Sequence, residues 1–76
     1  MSMREDILSA LKKHACGNIE LHKMNIEVYL KNPAGIGEHS DIMEAIQAEL
    51  DKMAMHEDRL DVIDNWIEDH RVLVRE

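Results

Sequence analysis

Residues 31–41, KNPAGIGEHSD, contain the only proline of the chain and two of its three glycines. Pro33 disfavours helical geometry at Asn32, and Gly35 and Gly37 permit the backbone angles that a chain reversal needs. Long segments without proline lie on both sides of this stretch. The stretch therefore predicts a turn, over about residues 32–40, between two helices.

The segment before the turn has the periodicity of a helix. Four residues lie seven apart on one line of residues 3–31: Leu8, Ala15, His22 and Tyr29. This spacing marks one face of a helix rather than the alternation of a strand. Ser2 and Glu5 have the spacing of a capping box at its start. Gly17 costs about 1 kcal/mol relative to alanine within a helix, so a break near Gly17 is an alternative to one continuous helix.

The segment after the turn has a clearer helical pattern. Ser40 or Asp41 can cap its start, and no glycine or proline follows Asp41. The pattern predicts a helix over about residues 41–69 and a looser tail over residues 70–76. Its apolar residues lie seven apart: Ile46, Met53, Leu60 and Ile67.

One alternative contains strands. The β-branched residues of NIEVYL, residues 25–30, are compatible with a short strand. Its best partner would be RVLV, residues 71–74.

The preferred fold class is all-α, an antiparallel two-helix hairpin. Residues that face each other then have numbers summing to about 71, which places His22 level with Glu49 or Leu50. The sequence therefore predicts a buried polar layer within the apolar seam. Its members are Asn18, His22, Asn25 and Glu49. Such layers fix register and oligomeric state.

A single hairpin leaves half of each helix uncovered. The apolar surplus predicts an interface with a second copy or another protein, most simply a homodimeric four-helix bundle. The predicted interface residues are Leu21, Val28, Leu30, Val62 and Trp66.

Composition restricts the class of protein. Seventy-six residues form one domain at most, and the single cysteine, Cys16, excludes an internal disulfide. A net charge of −7 disfavours binding to nucleic-acid phosphates. No apolar run has the length of a membrane span or a signal peptide. We therefore expect a cytoplasmic protein with no nucleic-acid or membrane partner.

No set of residues predicts catalysis or a cofactor. The GIG sequence lacks the remaining residues of a phosphate-binding loop, so a capped turn is the better interpretation. A weak metal site would require His14, His56 and Glu57 to meet across the hairpin, because no pair with helical metal-ligand spacing exists. The acidic residues of the second helix predict a solvated face or, alternatively, a surface that docks a basic partner.

Two motifs resemble a known group of proteins. The chain matches a pattern N-P-x-G-I-G-E-H-x-D at eight positions: Asn32, Pro33, Gly35, Ile36, Gly37, Glu38, His39 and Asp41. Upstream, it matches H-A-x-G-x-I-x-x-H at His14, Ala15, Gly17, Ile19 and His22. These motifs resemble those of small uncharacterised proteins of tailed bacteriophages, chiefly marine and cyanobacterial ones.

The resemblance implies a phage setting but no activity. Because a bend requires neither Glu38 nor His39, it gives weight to a partner-binding tip at Ile36, Glu38 and His39. We expect a non-enzymatic, helical protein–protein interaction module, located in the virion or in the infected cell's cytoplasm. A virion or assembly component is the first expectation. A factor that binds a host protein, through its acidic face as a DNA mimic, is the second, and a small metal-binding protein is the third.

Overall fold

The computed structural model describes residues 2–31 and 39–68. Helix α1 comprises Met3–Lys31 and helix α2 comprises His39–Val62. A short π-helix, α3, follows directly as Ile63–Ile67. The two long helices pack against each other, and no strand occurs in the described ranges. The predicted all-α helical hairpin is therefore confirmed.

Helix α1 begins with the predicted capping box. The Ser2 backbone N–H donates to the Glu5 carboxylate at 3.0 Å, and the Glu5 N–H donates to the Ser2 hydroxyl at 3.1 Å. These bonds satisfy backbone donors that the first helical turn leaves without partners. The helix then continues through Gly17 without the break that the sequence left open. Helical neighbours on both sides outweigh the local cost of one glycine.

Helix α2 begins at His39, two residues before the expected start at Asp41. Asp41 consequently lies in the first turn, where the helix dipole favours a negative charge. At the other end, the expected α-helix widens into the π-helix after Val62. The Glu68 N–H donates to the Ile63 carbonyl at 2.8 Å, a separation of five residues. Residues 69–76 lie outside the described part of the chain.

The strand alternative falls partly on described residues. Residues 25–30 are helical, whereas residues 71–74 lie outside the described ranges. The first half of that alternative is therefore wrong, because NIEVYL continues the periodic face of α1.

Cross-helix hydrogen bonds define the antiparallel register. His22 bonds to Glu49 towards the middle of the seam, and the Arg4 guanidinium donates to the Ile67 carbonyl near the start of α1. The numbers of both pairs sum to 71, as predicted. Lys12 also reaches the Glu68 carboxylate, with Nζ–O distances of 2.9 and 3.0 Å. These contacts attach the π-helical turn to the first half of α1.

The core between the helices is small. Its buried apolar side chains are Leu8, Ala15 and Ile42. Glu49 and His56 are also buried, so the centre of the seam is polar. The Cα atoms extend over 50 × 28 × 13 Å, so the molecule is one layer of two helices.

Candidate interaction surface and polar seam

A polar layer crosses the seam between α1 and α2. The Nδ1 atom of His22 lies 2.6 Å from Oε1 of Glu49, and the Asn25 amide donates to the same oxygen at 3.0 Å. An ionised carboxylate only accepts hydrogen bonds, so Nδ1 of His22 carries a hydrogen. Lys52 Nζ lies 3.9 Å from the other Glu49 oxygen. The structure thus brings together three of the four residues predicted for the layer.

The environment of Glu49 favours its ionised form. Hydrogen bonds from Asn25 and then from His22 lower the pKa of the carboxyl below its ordinary value of 4.5. Burial opposes this shift, while the charges of Lys52 and His22 add to it. The carboxylate is therefore charged at neutral pH, and its acceptor capacity connects α1 to α2 at one level.

Asn18, the fourth predicted member, bonds within its own helix. Its amide donates to the His14 carbonyl at 2.9 Å and lies 3.3 Å from Nε2 of the His14 ring. Short polar side chains commonly form such local bonds to the backbone. Asn18 therefore positions the His14 ring, and both of these bonds stay within α1 instead of reaching Glu49.

Three imidazole rings meet beside the polar layer. The His56 ring lies edge-on to His14 at a centroid distance of 5.8 Å and is stacked on His22 at 6.2 Å. His56 is only 5% exposed, and its Nδ1 atom has no hydrogen-bond partner among the described residues. Desolvation by burial, followed by the effects of Arg59, His14 and His22, lowers the pKa of His56. The neutral ring is therefore the form that fits this seam.

The weak metal site predicted from the sequence is only partly assembled. His14 and His56 meet across the hairpin, whereas Glu57 is exposed on α2. Within residues 2–31 and 39–68, no group of three or more potential ligands can hold a metal ion. Two imidazoles supply fewer protein ligands than zinc sites ordinarily have.

The predicted partner-binding tip lies mostly outside the described residues. Ile36 and Glu38 lie outside the described residues, and His39 is the first residue of α2. Binding of a partner by the tip stays a prediction.

The five predicted interface residues lie at the surface. Their exposed fractions range from 45% for Val62 to 59% for Val28, Leu30 and Trp66. Other large apolar residues are similarly exposed: Met3, Ile7, Leu11, Met24, Met43, Leu50, Met55 and Ile67. A surface with this many exposed apolar side chains is typical of one that another molecule covers.

An open, mainly apolar groove of about 310 Å³ lies between the helices on one side of the seam. Its lining includes Leu11 and His14 from α1 and His56, Val62 and Ile63 from the second half of the hairpin. The groove thus connects the imidazole cluster with the exposed apolar surface. Heptad spacing alone does not predict this groove, because it does not show which side of the seam is open.

No protein-family model, curated protein or solved structure matches the chain. Among the described helices, none is both long enough and apolar enough to cross a membrane. The class of protein that the fold defines is a two-helix hairpin with a polar seam.

Proposed function

We propose that this hairpin is a non-enzymatic protein–protein interaction module. One observation supports the proposal above the others: among the residues that the structure describes, thirteen large apolar side chains are exposed, whereas three apolar residues form the core. Water contact with so much apolar surface is unfavourable by roughly 25 cal/mol per Å². Covering it with another helical surface supplies stability that the small seam lacks.

The resemblance to small tailed-phage proteins directs the proposal towards a virion or assembly component. A second copy of the chain is the simplest partner, because it completes a four-helix bundle. Localisation in the virion, or in the cytoplasm of an infected cell, belongs to the same proposal.

The experiment combines light scattering with an apolar dye. We expect a molar mass above the 8.8 kDa of one chain, or a monomer that binds an anilinonaphthalene dye through its exposed face. Leu21→Gln should lower both the association and the dye signal, because Leu21 is 53% exposed. Lys23→Gln is the matched control on the same helix. A monomer that does not bind the dye contradicts the proposal.

A second candidate function is binding of a basic host protein through the acidic surface. Asp51, Glu57, Asp58 and Asp61 are exposed on α2, and the chain carries a net charge of −7. Salt distinguishes the two candidates. Binding through charge weakens steeply between about 50 and 200 mM salt, whereas apolar association changes little or strengthens.

A further inference from the structure

Helix α1 carries a second heptad stripe beside the seam. We call it the outer stripe. Its eight residues are separated alternately by four and three positions, and all are exposed: Met3, Ile7, Ala10, His14, Gly17, Leu21, Met24 and Val28. This is the a/d spacing by which one helix packs along another. The stripe covers nearly the whole of α1, so a partner must offer a helical surface of similar length.

The outer stripe lies at the angle that a bundle requires. The seam residues Leu8, Ala15 and His22 each immediately follow a member of the outer stripe. Successive helical residues are rotated by about 100°. In a four-helix bundle each helix contacts two neighbours at roughly a right angle. Helix α1 is therefore shaped to pack on α2 with one face and on a further helix with the other.

We propose that the outer stripe packs antiparallel on the same stripe of a second copy of this chain. The inference deepens the proposed function and rests on it, since it names the partner and the contact surface.

Residues in contact have numbers summing to about 31, so each large side chain near the centre meets a small one. Leu21 lies against the partner's Ala10, and His14 lies against the partner's Gly17. Ile7 meets the partner's Met24, and Val28 meets the partner's Met3.

Charge complementarity supports this choice of partner. Lys13 and Glu20 flank the centre of the stripe at equivalent heptad positions, and no ion pair within the described residues involves either of them. Antiparallel pairing brings Lys13 beside the partner's Glu20, and the twofold symmetry repeats this ion pair. A parallel arrangement would place Asn18 and Asn25 of the partner there instead. The outer pair, Asp6 and the partner's Glu27, has like charges, but it lies near the exposed helix ends, where salt screens it.

The exposed area is also of the right order. Five large apolar residues of the stripe are each more than half exposed: Met3, Ile7, Leu21, Met24 and Val28. Together they offer apolar area on the order of several hundred Å² per copy, and a standard interface buries about 800 Å² per partner. Gly17 is open at its centre, because an added Cβ would meet no atom within 4 Å.

Charge reversal tests the register directly. Lys13→Glu and Glu20→Lys should each raise the dissociation constant on the order of 10-fold, because both symmetric ion pairs become repulsive. The double variant should restore the wild-type constant. An equimolar mixture of the two single variants should form a heterodimer, since both of its central pairs, between positions 13 and 20, are then complementary. Lys23→Glu, an exposed charge reversal outside the stripe, is the control and should change the constant little.

A second variant tests the close approach at the centre. Leucine favours a helix more than glycine does, and the space around Gly17 is open in the single hairpin. Gly17→Leu should therefore raise the helicity of dilute, dissociated chains while raising the dissociation constant at least 10-fold. An increase in helicity with unchanged association overturns the proposed packing.

Sedimentation equilibrium and circular dichroism provide these measurements. Weakening by the single reversals and recovery in the double variant support the proposal. Association that none of these variants alters overturns the outer-stripe contact but leaves the proposed function intact. A monomer that binds the apolar dye shows that the partner is not a second copy of the chain, and it leaves the proposed function intact. A monomer without dye binding overturns both.

Discussion

Replacing Glu49 by glutamine removes the charge from the polar layer while preserving its shape. Glutamine retains a carbonyl oxygen that can accept from His22 and Asn25, now 2.6 and 3.0 Å from the carboxylate. Hydrogen bonds to charged groups contribute about 1.5–3 kcal/mol, compared with about 0.5–1.5 kcal/mol for neutral ones. Loss of charge from two bonds should therefore lower the free energy of unfolding by about 2 kcal/mol at pH 7. A chain this small has only about 3–5 kcal/mol from its own core.

The pH dependence provides an independent check. Because the pKa of Glu49 is lowered in the folded chain, its stabilisation is complete above the ordinary value of 4.5. It is lost as the pH falls through the lowered pKa. The difference between wild type and Glu49→Gln should accordingly be largest at neutral pH and shrink below about pH 4.5.

Urea unfolding followed at 222 nm measures both effects. Protein concentration must be held constant, since association contributes to apparent stability. Glu57→Gln makes the same chemical change at an exposed position of α2 and should stay within about 0.5 kcal/mol of wild type. A difference for Glu49→Gln below about 0.5 kcal/mol at pH 7, or one that persists unchanged at pH 3, refutes the charged layer.

Three further outcomes follow from the seam and the surface. Burial lowers the pKa of His56 in the folded chain, so as the pH falls below 6.5 the unfolded chain binds a proton at this ring before the folded chain does. The free energy of unfolding should therefore decrease below pH 6.5, as measured by urea unfolding at several pH values. In His56→Leu this decrease should be smaller than in wild type. Lys12→Ala should cost less than about 1 kcal/mol in thermal unfolding, since the Lys12 side chain in its ion pair with Glu68 is 40% exposed, and a larger loss would mean that this pair holds α3 in place. Cys16 is exposed, so it should react with a thiol reagent without unfolding, and a rate that tracks global unfolding in urea would contradict its exposure.

The hairpin and its register follow from spacing alone. Heptad spacing predicts the inward face of α1, and the proline-containing stretch predicts the reversal, so the sequence places His22 level with Glu49 or Leu50. The observed bond between them meets that expectation. Facing positions are predictable because two antiparallel helices rise equally per residue.

Other features depend on side-chain conformation, which spacing does not determine. The Asn18 side chain could bond either across the seam or within its own helix, and its amide bonds to the His14 carbonyl of α1. The ion pair between Lys12 and Glu68 departs from the register sum. Both side chains are long, and Glu68 follows the π-helix α3, where the spacing of an α-helix no longer holds. Among the described residues, Nδ1 of His56 has no hydrogen-bond partner, and the sequence does not predict this, because it depends on which ring atoms the seam encloses.

The single-layer shape makes the stability of the fold depend on protein concentration. The Cα atoms span only 13 Å in the thinnest direction, and within residues 2–31 and 41–68 no side chain is completely buried. If other copies cover its exposed apolar surface, the folded fraction rises with the concentration of the protein. At low concentration more of the chains would be unfolded and open to proteolysis, so the protein would act only above a threshold concentration.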